Sequence, residues 1–311
     1  MNTPYAGATP PLTIGMPVYN GERYLSQALD ALLVQTYGDF TLIVSDNAST
    51  DGTEAICREY AAADKRISYS RLDKNYGAAR NFNRVFQLNQ SQFFKFATHD
   101  DVCAPQMIEH CMAYLANAPQ DVALCFPTTI GIDANGQEIR RFVEKLEIHQ
   151  KLPHERLQNF LSNYHLTNCL YGVLRASTYG STRLLQAFDS ADIVLLAELA
   201  LRGQFHKLSE PLFQRRFHAE MSIHANRSAT ARAQWFDTSK RSKHYLPRVR
   251  ILEELFRAVN NTPLDATERR RCYRAIITTW LPRTFKSAVA EKLPRSYVRS
   301  RRARRLNAAR G

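Results

Sequence analysis

LIVSDNASTD, residues 42–51, decides how the rest of this chain is read. Three apolar residues, Leu42, Ile43 and Val44, run as a buried strand into a carboxylate, Asp46, and then into the polar turn of Asn47, Ser49, Thr50 and Asp51. An acidic side chain at the carboxyl end of a parallel strand, ahead of a turn and a helix, lies where open α/β sheets bind nucleotides. A second apolar run, FFKFAT (93–98), ends the same way, in His99, Asp100 and Asp101. Two strands that deliver carboxylates to one sheet edge point to a site for a nucleotide and a divalent cation.

Around this segment the first 130 residues alternate strand and helix patterns with short connections, as βαβ units do. The spacing predicts a strand at Leu12–Met16 ended by Pro17. A helix capped by Asn20 follows, with Tyr24, Leu25, Ala28, Leu29, Leu32 and Leu33 on one stripe. Helices are expected at about 53–62 and 77–88, a strand at 67–72, and a further helix opening at Pro105. DVALCFPTTI (121–130) opens another strand, and Asn135-Gly136 signals a hairpin. Later come a helix at 155–163, a strand at 170–174, and a helix capped by Ser190 and stopped by Gly203. A last strand pair is expected between Phe205 and His218. Residues 1–224 thus read as one α/β domain and the polar stretch 225–243 as a linker. Residues 244–311 read as a basic helical extension, with Ile276, Ile277, Trp280 and Leu281 on one apolar stripe continued by Phe285, Val289 and Leu293.

The net charge of +13 is unevenly spread. Residues 241–311 hold 19 Lys and Arg against 5 Asp and Glu, which leaves 23 basic and 24 acidic side chains for the first 240 residues. The body is close to neutral and the basic end is a separate device. The six cysteines form no C-x-x-C pair and no zinc spacing, and most sit in apolar segments, so buried reduced thiols are expected. No run approaches the roughly 20 apolar residues of a membrane span, and MNTPYAGATPP lacks the basic and apolar regions of a secretory signal. A cytoplasmic location is the expectation.

IGMPVYNGERYLSQAL, IVSDNASTDGT, KNYGAARNFN, FATHDDVCAP and SADIVLLAELALRG together resemble, in order, the successive motifs of family-2 glycosyltransferases with the GT-A fold. The likeness covers about residues 12–218. It implies a Rossmann-like, mixed but mostly parallel sheet flanked by helices, and inverting transfer of a sugar from a nucleotide diphosphate sugar of the UDP or dTDP type to a hydroxyl acceptor. On that resemblance Asp46 hydrogen-bonds the base, and Pro17, Tyr19, Asn20 and Arg80 line the nucleotide. Asp100 contacts the donor and, with Asp101, binds Mg²⁺ or Mn²⁺, and Asp192 is the general base. His218 is the histidine that closes over the diphosphate. Two positions depart from the pattern: Thr98 replaces the first aspartate of the metal motif, so the cation has fewer carboxylates, and Ala191 replaces the glutamate that precedes the base.

The chemistry of these residue types agrees. A departing nucleotide diphosphate accumulates negative charge, which a hard cation held by one or two carboxylates stabilises. A carboxylate against a base edge accepts from an imide N–H, selecting uracil or thymine over adenine. Asp192 stands in a helix first turn, where the macrodipole favours its ionised form; simple charge compensation is the alternative, and Asp189 competes for the same role. QRRFHAEMSIH offers Arg215, Arg216, His218 and His224 beside the diphosphate, or as solvated edge residues.

The basic end reads as a solvated tail, as a nucleic-acid arm with too few aromatics, or as an amphipathic helix adsorbed to an anionic leaflet. The last fits best, with the protein peripheral at the inner face of the membrane, where lipid-linked glycan acceptors lie. Surface polysaccharide synthesis in a bacterium follows as the expected role. A non-catalytic nucleotide-sugar binder and a nucleic-acid-binding protein are the rival classes. No G-x-G-x-x-G follows the first strand and no P-loop is present, which disfavours a dehydrogenase or a P-loop enzyme.

Overall fold

A computed structural model describes residues 10–221, 229–238 and 247–282. The parallel strands β1 (Leu12–Val18) and β2 (Phe40–Asp46) sit inside a seven-stranded sheet. Its other members are β3 (Ile67–Arg71), β4 (Phe93–Phe96), β6 (Val122–Phe126), β9 (Val173–Arg175) and β10 (Gln204–Lys207), in the order β10-β6-β9-β4-β1-β2-β3. Only β9 runs antiparallel to its neighbours. A smaller sheet holds β5 (Val102–Cys103), β11 (Phe213–Arg216), β7 (Thr129–Ile132) and β8 (Glu138–Arg141) in that order.

Continuous apolar strands need cover on both faces, and helices supply it. On one face α1 (Glu22–Leu33), α2 (Thr53–Ala63) and α4 (Met107–Asn117) bring Leu25, Leu29, Cys57, Met107 and Cys111 against Leu12, Ile14, Leu42 and Val44. On the other face lie α3 (Ala78–Gln87), α5 (Pro153–Asn163) and α7 (Ala191–Arg202). The short α6 (Ala176–Gly180) follows β9, and α8 (Ala229–Phe236) comes after the second sheet. The same second core takes in α9 (Pro247–Asn260), α10 (Ala266–Ala275) and a π-helical turn, Ile276–Trp280. All six cysteines are buried and free.

Several expectations change. Pro17 does not end β1: it pairs in register with Ser45, at a point where β1 no longer pairs with β4, so its missing N–H costs no ladder bond. Asn20 is not a cap; at φ 50° its Oδ1 accepts from the Thr50 amide and ties the first loop to the second. The helix expected at Pro105 starts at Met107, and the Pro105 carbonyl accepts from Thr36. Residues 121–130 split into β6 and β7, which belong to different sheets, as do β10 and β11, so no last strand pair forms. Within 168–175 a 3-10 turn, Asn168–Tyr171, precedes the short β9. Asn135-Gly136 does turn β7 into β8, with Gly136 at φ 85°.

The stretch expected to be a linker carries α8, and the apolar stripe near the end is divided, with Ile277 48% exposed and Ile276 and Trp280 turned inward. Ile276 is fully buried and Trp280 is 4% exposed, packed in the core with α5 and α10. Phe285, Val289, Leu293 and His224 lie outside the described residues. Among the described residues no helix is long and apolar enough to cross a membrane.

Gly77 decides how close α8 can come. It has φ +86°, and a Cβ there would lie 2.5 Å from the Phe236 carbonyl oxygen. Gly77→Ala is therefore expected to cost about 1–3 kcal/mol through backbone strain and to push α8 outward. Denaturant titration checks the stability, and an unchanged midpoint would show that the contact is not tight.

Candidate active site

The carboxyl ends of β1, β2 and β4 open on one edge of the large sheet, and the small sheet folds over it. The turn Thr98–Asp101 leaves β4 and enters β5, and β5 pairs with β11, so the chain after β11 is carried back onto the acidic pair. Two cavities lie there. The larger, about 490 Å³, is bordered by Pro17 at the end of β1, by Tyr19 and Asn20 from the first loop, by Asn47 and Asn75, and by Thr98 to Asp101, Arg216 and His218. The smaller, about 270 Å³, is bordered by Thr167, Asp189, Asp192 and Arg232. Phe82, Tyr171, Arg215 and Trp235 line both.

Asp46 does not border the larger cavity. It is fully buried, with Oδ1 accepting from the Ser49 amide and hydroxyl at 2.8 and 2.6 Å and Oδ2 accepting from the Tyr69 hydroxyl at 2.9 Å. Arg71 adds an ion pair at 3.5 Å. The carboxylate is consumed in shaping the turn after β2, and Asn47 is the residue that turn presents. Asn47 in turn braces the next loop: its Nδ2 donates to Asn75 Oδ1 and its Oδ1 accepts from the Tyr76 amide. Arg80 also misses the cavity; it is exposed and stacks on Tyr76 with its guanidinium carbon 3.7 Å from the ring centre.

The acidic pair divides its work. Asp101 accepts from the Thr98 hydroxyl at 2.7 Å and from the Arg216 amide at 2.8 Å, so its two oxygens lock the β4–β5 turn to β11. It thus has a structural duty as well as a place in the lining of the larger cavity. Burial and then the neighbouring Asp100 charge push its carboxyl up. Asp100 meets His218 Nε2 at 3.0 Å; burial works to raise its carboxyl, but that hydrogen bond and the charges of His99 and His218 outweigh it and hold it low. The Nδ1 of His218 is buried without a hydrogen-bond partner among the described residues, and its ring packs edge-on against Tyr24. Arg216 has a structural place as well, donating to the Asp100 carbonyl and to Gln27.

In the smaller cavity Asp192 stands at the start of α7. Its Oδ2 accepts from the Thr167 hydroxyl and its Oδ1 from the Ile193 amide. Burial pushes its carboxyl up, against the pull of those hydrogen bonds and of Arg215. Asp189, the competitor, is instead ion-paired to Arg232 of α8 at 2.8 Å. A guanidinium partner leaves that carboxylate poorly placed to take a proton. Ser190 does precede α7 as expected, but in the left-handed region at φ 65° and without a side-chain cap.

The sequence model of glycosyl transferase family 2 matches residues 13–175, just over half of the chain. The chain is a family-2 glycosyltransferase. It is 28% identical over 160 residues to an uncharacterized glycosyltransferase of Methanocaldococcus jannaschii, a match covering 51% of this chain and 53% of that protein. It is 23% identical over 228 residues to TuaG, a putative teichuronic acid biosynthesis glycosyltransferase of Bacillus subtilis, covering 73% of this chain and 86% of that one. The chain thus spans about half the length of the first of these relatives. Among solved structures it is similar to residues 1–349 of S. aureus TarS in complex with UDP, with a TM-score of 0.64 at 15% identity over 92% of this chain and 76% of that one. The architecture is accordingly the GT-A fold, a mixed, mostly parallel sheet flanked by helices.

Of the glycosyltransferase's expected site residues, Pro17, Tyr19, Asn20, Asp100, Asp101 and His218 come together around the larger cavity, and Asp192 faces the smaller one. Asn47, Asn75, Thr167, Arg232 and Trp235 were not foreseen. The first two lie inside quoted motifs and could have been weighed there. Thr167, Arg232 and Trp235 carry no signal in periodicity or spacing, because each matters only through where the fold puts it.

Proposed function

We propose that this glycosyltransferase moves a sugar from a uridine or thymidine diphosphate sugar to a hydroxyl of a glycan or lipid-linked acceptor, with inversion. The observation that carries the reading is the pair of adjoining cavities. One has a carboxylate and an imidazole at its wall, and the other has a half-buried carboxylate with a raised pKa. The nucleotide diphosphate occupies the larger cavity, between the first loop and the Asn47–Asn75 brace. The acceptor occupies the smaller, with its hydroxyl toward Asp192. Entry from opposite sides of the shared neck is what in-line displacement requires.

The donor set fits a divalent cation completed by its substrate. Among the described residues no group of three His, Cys, Asp or Glu side chains could hold an ion alone. Asp100 offers a hard oxygen, His218 an imidazole, and the cavity has room for phosphate oxygens, which is the usual economy of Mg²⁺ and Mn²⁺ sites. Such a cation would neutralise charge on the leaving diphosphate. The protein's own residues do the rest. Arg215, reaching both cavities, adds positive charge beside that group, and Asp192 takes the acceptor proton. In support, TarS is described in complex with UDP and UDP-GlcNAc, and the similar Pyrobaculum calidifontis mannosyltransferase PcManGT in complex with GDP-Man and Mn²⁺.

Calorimetric titration with UDP, dTDP, GDP and ADP, each with Mn²⁺ and with a chelator, tests the donor. Uridine or thymidine diphosphate is expected to bind best and to weaken by about tenfold or more in chelator. Equal affinity without metal would remove the cation, and a purine preference would remove the pyrimidine assignment.

A role in surface polysaccharide synthesis agrees with the name of TuaG. The basic residues 283–311 would then hold the enzyme at an anionic inner leaflet, at about 1 kcal/mol for each Lys or Arg near the surface. Cutting the chain after Pro282 keeps Trp280 in the core and is expected to abolish sedimentation with anionic vesicles while nucleotide binding persists. Unchanged vesicle binding would place the attraction elsewhere.

A further inference from the structure

The four side chains that line both cavities are three aromatics and one cation: Phe82, Tyr171, Trp235 and Arg215. The bond that is cut and the bond that is made must both lie at this neck, because the base faces one cavity and Asp100 the other. Two of the aromatics belong to the α/β body. Phe82 stands on α3 against Phe96, and Tyr171 stacks on Phe213 with its carbonyl held by Lys95 at 2.7 Å. Trp235 comes from α8, beyond the residues that the family model matches.

Three observations fix α8 as a wall of the site. Arg232 pairs with Asp189 beside the smaller cavity, and the Thr238 hydroxyl donates to the Asn75 carbonyl beside the larger. Gly77 lets the Phe236 backbone approach to a distance that any Cβ would block. Trp235 crosses Phe236 edge-on, at 86°, and is only partly buried. Among the described residues it makes no other ring contact. A half-covered indole between the two cavities presents a flat apolar face. A pyranose ring presents the complementary surface, a patch of C–H groups ringed by hydroxyls.

We infer that Trp235 is a specificity-determining residue of the donor site: its indole is the platform on which the transferred pyranose lies at the neck. The inference rests on the reading of the larger cavity as the nucleotide site. It deepens that reading by dividing the donor in two. The loops of the α/β body hold the nucleotide diphosphate, and a helix outside the family-matched region reads the sugar. Sugar preference can then change through α8 while the nucleotide site stays fixed.

Calorimetry with UDP, UDP-glucose, UDP-galactose and UDP-N-acetylglucosamine in Mn²⁺ tests this. At least one sugar nucleotide is expected to bind the wild type more tightly than UDP. Trp235→Ala should lower its affinity on the order of 5–10-fold while UDP stays within about twofold, and Trp235→Phe, which keeps an aromatic face, should recover most of the loss. Because the chain has only two tryptophans and Trp280 is buried in the core, the sugar nucleotide should also quench fluorescence in the wild type beyond what UDP does. That excess should vanish in Trp235→Phe. Equal losses for UDP and its sugars in Trp235→Ala would reduce Trp235 to a packing residue and overturn the inference. So would a panel in which no sugar nucleotide exceeds UDP, or a raised acceptor KM with unchanged donor affinity. A wild-type protein that binds no UDP at all would overturn the donor-site reading itself, and the inference with it.

Discussion

Asp192→Asn is expected to lower turnover by at least about 10²-fold, the lower end of what a general base contributes, while donor affinity stays within about twofold. Asparagine keeps the size and can still meet the Thr167 hydroxyl, but it cannot accept a proton. The pH dependence has a definite sign. Burial raises the Asp192 carboxyl above its unfolded value, so as pH falls the base is lost earlier than an ordinary carboxylate would be. The acid limb of kcat should therefore lie above the usual carboxylate range in the wild type.

The same shift means that ionised Asp192 costs stability at neutral pH, a cost relieved as pH falls through the raised pKa. Asp192→Asn should accordingly melt no lower than the wild type, which separates lost chemistry from lost folding. Asp189→Asn should act differently. It breaks the pair with Arg232, loosens α8 and lowers turnover far less. Normal turnover in Asp192→Asn together with loss in Asp189→Asn would make Asp189 the base.

Trp280→Ala is the second large effect. An indole 4% exposed among α5, α10 and the rest of the second core leaves a cavity when truncated, and such changes cost about 3–5 kcal/mol. For a protein whose total stability is typically about 5–15 kcal/mol, that is a large share. Chemical denaturation should show it directly. A midpoint near wild type would mean that Trp280 is not packed in the core after all, and would return it to the surface role expected from the sequence.

That contrast shows what the sequence carries. The repeat at 276–281 announces a helix with one apolar side, and Ile276 and Trp280 do form a buried side, though Ile277 stands half exposed. What the side faces is decided by α5 more than a hundred residues away, and no local pattern encodes it. Continuous apolar strands were easier. β1 and β4 are buried throughout and β2 at every residue but Thr41, and a run with few polar interruptions has few other places to go.

The strand-end acids were legible as a class and not as individuals. Asp46, Asp100 and Asp101 all follow apolar runs, yet Asp46 is taken up by Ser49, Tyr69 and Arg71, and Asp101 by Thr98 and the Arg216 amide. Some of these partners are neighbours in sequence, but Tyr69 and Arg216 arrive through the sheets. A carboxylate's function depends on which oxygens remain, and that is a tertiary fact. α8 was missed for a different reason. ATARAQWF has no apolar stripe to mark it, and its docking draws on the Arg232–Asp189 ion pair, the Thr238 hydrogen bond just beyond the helix, Phe236 against the core and the close approach that Gly77 allows.

α7 has a second set of partners whose effect reaches beyond the site. Asp192 begins this helix, and farther along it Glu198 is buried against Arg183, which also reaches Glu254 of α9. Glu254 is shared further with Arg250 and Arg257. Removing Arg183 takes the shared guanidinium from two carboxylates whose side chains are only 2% exposed, and such a loss costs up to about 3–5 kcal/mol. A screen for inactive variants would therefore score Arg183 beside Asp192, although Asp192 lines a cavity and Arg183 borders neither of the two. The mutational map of this enzyme has two centres, and the seam between α7 and α9 holds one of them.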